Sequence, residues 1–220
     1  MFTWLVIISI SPLVIYLLVA FLYHQDSTKS MPTKAKVETC IFDYLIALSF
    51  GTTAKDIILT TNRDLAAAVR QLLISALIKH KNSSDQIPMP SVVAQEEVVE
   101  ALRDQLNESV SHSNVFTINS RSEKGAYMGS LDVLIEALEV IDVSAPHGII
   151  VVHPTMWLRV DMLAYSLRLN HFEVRVTSEG YDHKSDQWWT RKALWMWLSE
   201  PIKYAVDYVR VRKRLRLMED

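Results

Sequence analysis

The sequence predicts a three-layer α/β domain, a Rossmann-like arrangement with a mostly parallel sheet, attached to one N-terminal transmembrane helix. Short β-branched runs alternate with longer segments of helical period, which is the pattern of βαβ units. The run GIIVV at 148–152 is continuously apolar, as expected for a strand buried on both faces of a parallel sheet. The segment from Phe2 to Tyr23 has no charged residue and is long enough to cross a hydrocarbon core of ~30 Å at ~1.5 Å per residue.

The chain is expected to contain three parts: a transmembrane anchor at 1–23, a polar linker at 24–37 and the α/β domain at 38–220. A cleaved signal peptide is the rival interpretation of the first part. It is disfavoured because no basic segment precedes the apolar run, the run is too long, and no small-x-small site precedes His24. Three lysines follow the span, and the positive-inside rule would therefore leave the domain in the cytoplasm.

Composition excludes several classes of protein. The chain has 220 residues and a formal net charge of -2, which argues against a nucleic-acid partner because such domains are basic. Cys40 is the sole cysteine, so neither an intrachain disulfide nor a cysteine-based metal cluster is expected. Five glycines and seven prolines exclude a collagen-like or low-complexity chain.

Within the domain, residues 40–50 are rich in β-branched and aromatic side chains and predict a buried strand that ends at Gly51. Apolar residues recur at helical spacing over 62–80, which predicts a helix. A second helix is predicted over 91–110 with Ser91 as its N-cap. The remaining predicted elements are a strand at 114–120, a helix at 130–141, the strand at 148–152, a helix at 156–170, a strand at 172–178 and a C-terminal helix kinked near Pro201.

Ligands of parallel α/β sheets bind outside the carboxyl ends of the strands. That rule selects four places: Gly51–Thr53, Ser120–Gly125, His153–Arg159 and Thr177–His183. His153 directly follows GIIVV and could act as a general acid, a general base or a hydrogen-bond donor near neutral pH. Arg159 falls in the first turns of the next helix, where a guanidinium favours a phosphate or carboxylate. The alternative is that His153 bonds a backbone carbonyl and Arg159 pairs with Asp161 or Glu123.

Other chemical signatures are absent. The chain has no G-x-G-x-x-G, P-loop, G-x-S-x-G or H-E-x-x-H motif, and no cofactor is identified. A metal site assembled from distant residues, such as His153, Asp43 and His183, is an alternative. The acidic residues near Glu97 are interpreted as a solvated helix face.

The C-terminal region is rich in tryptophan and then in cations. The tryptophans are Trp188, Trp189, Trp195 and Trp197, and the cations are Arg210, Arg212, Lys213, Arg214 and Arg216. Part of the tryptophan set is expected in the core, and the rest could form a protein-partner surface or a membrane-interface belt. The cations either complement the carboxyl end of a helix or contact anionic lipid.

Residues 40 to 210 resemble the SanA/YdcF/ElyC-like family of α/β domains in the order of their motifs. FDYLIALSFG is similar to the family's first strand, D-x-I-V-V-L-G, through Asp43. NRDLAAAV is similar to its Arg-x-x-x-Ala helix through Arg63, and NSRSEKGAYMGS to its hydroxyl-rich loop through Ser122. VVHPTMWLR resembles H-P-x-H-x-x-R through His153 and Arg159. Met156 stands where the family has a second histidine, and the family's glycine-rich turn is missing from 87–97.

The resemblance implies a protein anchored by a single pass in the bacterial inner membrane, with its domain on the periplasmic side. It further implies that the domain binds or transforms a small phosphate-bearing or nucleotide-like ligand in cell-envelope or lipid-carrier metabolism. The implied ligand-binding residues are Asp43, Arg63, Ser122, His153 and Arg159, with His153 as the catalytic candidate. The alternative is a non-catalytic scaffold of an envelope complex, with a degenerate pocket and a protein partner on the Trp-rich C-terminal helix.

Overall fold

The structure, a computed structural model, describes residues 14–25, 42–51, 59–82, 90–103, 105, 115–121, 127–141, 147–167, 169, 172–177, 181–182, 184–187 and 190–219. Its elements are α1 (14–25), β1 (Tyr44–Ala47), α2 (Thr60–Asn82), β2 (Ser91–Gln95), α3 (Glu96–Arg103), β3 (Val115–Ile118), α4 (Ser130–Val140), β4 (Gly148–Val152), α5 (Trp157–Ser166), β5 (Phe172–Val176) and α6 (Ala193–Glu219).

The five strands form one fully parallel sheet in the order β3-β2-β1-β4-β5. The predicted α/β class with a parallel sheet is confirmed. Strand order reverses at the border between β1 and β4, where Leu45 pairs with Ile149. In open sheets of this kind the crevice beyond such a border is the usual ligand site.

The centre of the sheet is buried because its strands are made of apolar, mostly β-branched residues. Every residue of β4 is buried, and Leu45, Ile46 and Ile150 are fully inaccessible. Leu65 from α2 and Leu134 from α4 are equally inaccessible and belong to the same core cluster. Burial on both faces explains why β4 shows no polar alternation.

One prediction of secondary structure is wrong. Residues 91–95 form strand β2, with α3 starting only at Glu96. The sequence SVVA supplies adjacent β-branched side chains that fit between two strands, and Val92 pairs with both Leu45 and Val115. Position in the sheet therefore overrides the helical spacing of the residues that follow.

No helix among the described residues has the length and apolar character needed to cross a membrane. Residues 1–13 of the predicted anchor lie outside the described residues. The remaining part forms α1, on which most apolar side chains are exposed, including Ile15, Leu18 and Phe21.

The opposite side of α1 packs on α6 beside Pro201. Proline has no backbone N–H, so the carbonyl of Trp197, four residues earlier, lacks its helical donor. His24 of α1 supplies one, because its Nε2 lies 2.8 Å from the Trp197 oxygen. The His24 and Trp197 rings are also stacked, with centroids 5.3 Å apart. The Tyr16 hydroxyl donates to the adjacent carbonyl of Leu198. Side chains of α1 therefore bond two carbonyls in the turn before Pro201.

Candidate functional site

Buried polar side chains gather at the carboxyl edge of the sheet. Each strand delivers one of them at or just beyond its last residue: Ser49, Gln95, Ser120, His153 and Thr177. The parallel arrangement brings these ends to a common edge, since all strands run in the same direction. Ser120 donates to the carboxylate of Glu97, at the start of α3.

A cavity of about 300 Å³ lies beyond the border of β1 and β4. It is lined by Ser49, Phe50, Gly51, Gln95, Tyr127, Met128, Gly129, Ser130, Met156, Arg159, Gln187, Thr190, Met196, Ile202, Lys203, Val206 and Asp207. Its volume is at the lower end of the range for small-molecule sites, ~300–1,000 Å³. Ile202 and Val206 are half exposed and mark its opening on α6.

One wall of the cavity is a cluster of uncharged polar groups. The Ser49 backbone N–H donates to Gln95 Oε1 at 2.9 Å, which fixes the orientation of that amide. The Ser49 hydroxyl lies 2.8 Å from the Tyr127 hydroxyl. Burial raises the pKa of Tyr127 to about 12, with a smaller contribution from the charge of Glu97. Tyr127 therefore stays protonated at neutral pH and acts as a hydrogen-bonding group.

Two side-chain amides on this wall make no hydrogen bond of ordinary distance and angle with the described residues, although both side chains lie near enough to the Tyr127 hydroxyl to lower its pKa. They are the Nε2 atoms of Gln95 and Gln187, both buried. Gln95 and Gln187 as whole residues are 2% and 7% exposed. A buried donor without an acceptor costs roughly 1–3 kcal/mol, so an acceptor bound in the cavity would relieve an existing cost.

The opposite wall carries a buried ionic network centred on Arg159. Its Nε donates to Glu200 at 3.0 Å, its second nitrogen donates to the other Glu200 oxygen at 3.4 Å, and its third donates to Asp207 at 3.0 Å. Lys203 also donates to Glu200 at 3.0 Å. The predicted pairing of Arg159 with Asp161 is not found, since α6 supplies both carboxylates. Glu123, the other predicted partner, lies outside the described residues.

The network favours the charged forms of Arg159 and Glu200. Burial alone would raise the pKa of the Glu200 carboxyl, but the charges of Arg159 and Lys203 outweigh it and hold that pKa below its ordinary value. Burial alone would lower the pKa of Arg159, and the two carboxylates instead raise it. For Lys203 burial dominates and lowers the pKa. Two cations face two carboxylates, so the wall has no net charge.

The first turn of α4 borders the cavity. Gly129 has an extended backbone and Ser130 begins the helix, and both residues line the cavity. The amino end of a helix carries partial positive charge, which favours a bound anion. The Asp132 carboxylate accepts from the Gly129 N–H at 3.3 Å and therefore compensates part of this positive charge.

Gly51 is needed where the chain leaves β1. Its φ of +81° lies in the left-handed region, and a Cβ there would stand 2.6 Å from the Ser185 hydroxyl and 2.9 Å from the Thr190 hydroxyl. Asn62 of α2 bonds the backbone on both sides, accepting from the Phe50 N–H and donating to the Gly51 carbonyl. This glycine therefore lets Ser185 and Thr190 approach the end of β1, and Thr190 lines the cavity.

His153 leaves β4 as predicted but is 1% exposed and does not line the cavity. It stacks on Phe50 with centroids 3.6 Å apart and meets Tyr181 edge-on. Its Nδ1 lies 2.8 Å from the Thr155 hydroxyl and accepts from the Thr155 N–H at 3.3 Å. Because that N–H can only donate, the proton of the neutral ring is on Nε2. The predicted open pair of His153 and Arg159 is not formed, since each group is already bonded.

The other predicted ligand residues are not brought together. Asp43 precedes β1 and therefore lies at the amino edge of the sheet, opposite His153, where it accepts from the His147 N–H at 3.1 Å. Arg63 is exposed on the first turns of α2 and does not line the cavity. Ser122 lies outside the described residues. Of the predicted ligand residues that the structure describes, Arg159 alone lines the cavity.

The described residues also contain no group of three or more His, Cys, Asp or Glu side chains that could hold a metal ion. The alternative of a metal shared by His153 and Asp43 is wrong because these residues stand at opposite edges of the sheet. Its third member, His183, lies outside the described residues.

Most of the cavity-lining residues were missed from the sequence. Gln95 was hidden by the wrong assignment of 91–95 to a helix. Lys203 and Asp207 recur with Glu200 at a spacing that puts the three on one face of a helix, which is the signal that could have identified these two lining residues. Gln187 belongs to an irregular segment and carries no such signal.

No family model, curated protein or solved structure matches this chain. The interpretation of the cavity therefore rests on its own residues.

Proposed function

We propose that the α/β domain binds a small ligand, phosphate-bearing or nucleotide-like, in the cavity at the border of β1 and β4. The observation that carries this proposal is the pair of buried amide donors, Gln95 Nε2 and Gln187 Nε2, that lack acceptors among the described residues. Both side chains line the cavity. Buried polar groups in folded proteins are almost always paired, and unpaired ones point to a bound molecule or water.

The residues that line the cavity favour a ligand with one polar part and one apolar part. The amides and the Ser49 and Tyr127 hydroxyls suit oxygen or ring-nitrogen acceptors, which a nucleobase or sugar presents. Phe50 and the side chains of Met128, Met156 and Met196 offer an apolar, adaptable surface to a planar or aliphatic portion. A mixed lining of this kind is usual for small-molecule sites.

The phosphate-bearing part of the proposal rests on Lys203, Arg159 and the first turn of α4, which all border the cavity. A phosphate would share both cations with Glu200 and Asp207, because the network is neutral without a ligand. Lys203 is the more accessible of the two cations, since its side chain is 27% exposed and that of Arg159 is 6% exposed. We therefore expect phosphate recognition to depend on Lys203.

The test is a thermal-shift screen of the full chain in detergent with matched pairs: nucleoside and nucleotide, sugar and sugar phosphate, polyprenol and polyprenyl phosphate. A ligand at ~100 times its dissociation constant adds about 2.7 kcal/mol of stability. The phosphorylated member of a pair is expected to stabilise more, and Lys203→Met is expected to narrow that difference. Lys192→Met is the control because Lys192 is exposed and does not line the cavity.

Each variant is compared with its own ligand-free melting temperature, so a change in basal stability does not enter the result. A flat response in every pair, with the protein folded, would contradict the proposal. An equal response in wild type and Lys203→Met would contradict its phosphate part.

We also propose that the apolar segment 2–23 anchors the chain in a membrane, as a single-pass protein of the cell envelope. Support comes from the absence of charge in the segment and from the exposed apolar side chains on α1. The test is fractionation of cells that express the full chain. Retention in the membrane after a carbonate wash is expected, and release by that wash would contradict the anchor.

A second candidate function, a scaffold without a working pocket, is favoured by the exposed apolar side chains of α6, among them Leu194 and Trp195, which are 59% and 39% exposed. Trp188 and Trp189 lie outside the described residues, and Trp197 is covered by His24. A flat ligand screen together with a partner that co-purifies through α6 would favour this candidate.

A further inference from the structure

One side of α6 is apolar over most of the helix and is not covered by the described residues. Trp195, Ile202, Val206 and Val209 recur at spacings of seven, four and three, which places them on one face. They are 39%, 55%, 51% and 65% exposed. A contiguous apolar surface of this kind marks an interaction site when it is flanked by polar groups. We call these four residues the α6 stripe.

Cations continue the same face beyond the stripe. Lys213 and Arg216 follow Val209 by four and seven residues and are exposed. Neither makes an ion pair with any side chain that the structure describes. Arg210, by contrast, is directed to Asp132 at 2.7 Å and therefore belongs to the domain's own contacts. The exposed face of α6 thus passes from apolar to unneutralised positive charge.

The α1 helix contacts another side of α6. Its His24 ring stacks on Trp197 and its Tyr23 ring meets Tyr204 edge-on. Trp197 and Tyr204 each follow a stripe residue by two positions and therefore lie on the opposite side of the helix from the stripe. Most other side chains of α1 are apolar and exposed, with Ile15 at 60% and Leu18 at 57%. Exposed apolar side chains are thus found on α1 as well as on the stripe.

We propose that the α6 stripe lies on an anionic lipid surface, with Lys213 and Arg216 placed against lipid headgroups. An amphipathic helix with apolar side chains and flanking cations binds in the plane of the interface. Each lysine or arginine close to an anionic leaflet makes the binding free energy more favourable. The positive charge therefore favours an anionic lipid surface over an uncharged groove of a partner protein. The proposal rests on the anchor proposed above. Because Ile202 and Val206 also mark the opening of the cavity, the lipid surface would lie beside that opening.

The experiment places an environment-sensitive fluorophore at Val209→Cys in a Cys40→Ser background of the full chain, with one chain in each lipid nanodisc. Val209 does not line the cavity, so the label leaves the ligand site intact. Gln71→Cys, an exposed position on α2, is the matched control site. Quenching by iodide is measured in discs of phosphatidylcholine alone and in discs that also contain phosphatidylglycerol.

The label at 209 is expected to be protected several-fold in the anionic discs and much less in the neutral ones, while the label at 71 stays accessible in both. The double variant Lys213→Gln, Arg216→Gln is expected to lose most of the protection. An accessible label at 209 in anionic discs would overturn the proposal. Equal protection in both lipids would also overturn it, because the cations would then contribute nothing.

The design separates this proposal from the others. Failure of the chain to enter the discs would contradict the proposed membrane anchor. An anchored chain with an exposed label at 209 would contradict only the proposed contact between α6 and lipid. Protection that develops only when two chains share a disc would identify a second copy as the occupant and overturn the lipid assignment.

Discussion

Arg159 of α5 and Glu200 of α6 form a buried ion pair through two hydrogen bonds, at 3.0 and 3.4 Å. Neither side chain reaches solvent to any useful extent, since Glu200 is fully buried and Arg159 is 5% exposed. The pair joins the helix after β4 to the C-terminal helix, and its arginine lines the cavity. Arg159, which was predicted to bind the anion of a ligand, is thus already paired with a carboxylate of the protein.

Replacement of Arg159 by alanine is expected to destabilise the protein strongly. The substitution leaves Glu200 and Asp207 buried without their shared cation, and loss of one partner from a buried pair costs about 3–5 kcal/mol. Urea unfolding of the full chain in detergent measures the effect. Arg212→Ala is the control, because Arg212 is exposed and bonds the Tyr208 hydroxyl rather than the network, and surface substitutions of this kind change stability by about 0.5 kcal/mol or less. Similar losses in the two variants would show that the buried network does not stabilise the fold.

Stability is expected to fall in acid through Glu200. Its pKa in the folded protein is held below the ordinary value of 4.5, so the unfolded chain binds more protons as the pH drops through that region. The stabilisation is fully present above the unfolded-state pKa and disappears as the pH falls through the folded-state pKa. Glu200→Gln is expected to start lower at neutral pH and to show a shallower acid slope. Parallel curves for the two proteins would refute this.

Gly51→Ala is expected to cost about 1–3 kcal/mol, the usual range for a residue held in an unfavourable backbone region. The added Cβ would also meet the Ser185 hydroxyl at 2.6 Å. Gly129→Ala is the matched control, because its φ is -75° and its nearest contact would be the Asp132 carboxylate at 3.4 Å. The comparison is made by thermal unfolding, and an equal effect of both substitutions would contradict the argument from Gly51.

The contact between His24 and Trp197 can be tested by a double-mutant cycle with Pro201. His24→Ala removes a hydrogen bond, which is worth about 0.5–1.5 kcal/mol, together with a stacked ring. Pro201→Ala restores a backbone N–H for the Trp197 carbonyl, so the loss of His24 is expected to cost less in that background. Unfolding free energies of the four proteins give the coupling. Additive effects would show that His24 does not compensate for the proline.

Much of the fold was predictable because its signals are local. The continuous apolar run of β4 indicates a buried strand. The spacing of Leu65 with later apolar residues of α2 indicates a helix. Strand β2 was not predictable in this way, since its four apolar or small residues run directly into the amphipathic pattern of α3. Only the neighbouring strands, which pair with Val92 on both sides, decide the conformation.

The place of the site was predictable, and most of its side chains were not. The rule for parallel sheets correctly selected Gly51 and the segment that contains Arg159, both of which line the cavity. Whether Arg159 binds an external anion depends on Glu200 and Asp207, which are distant in sequence and meet it only through the packing of α6 on α5. Asp43 was misplaced because motif order alone does not state which edge of the sheet a residue occupies.

The measurement that tests the central claim most directly is the effect of Gln187→Met on stability with and without ligand. Methionine has nearly the shape of glutamine but no donor, so the unpaired Nε2 disappears with little change in packing. Without ligand the variant is expected to be more stable than wild type, by up to about 1–3 kcal/mol. With the ligand found in the screen, its stabilisation is expected to be smaller than that of wild type.

Gln105→Met is the control, because Gln105 donates to the Arg63 carbonyl and does not line the cavity. If Gln187 Nε2 serves to bind a ligand, Gln187→Met raises the stability of the ligand-free protein and reduces the stabilisation that the ligand provides. A loss of stability without ligand, or an undiminished ligand response in Gln187→Met, would contradict the assignment of this cavity as a binding site.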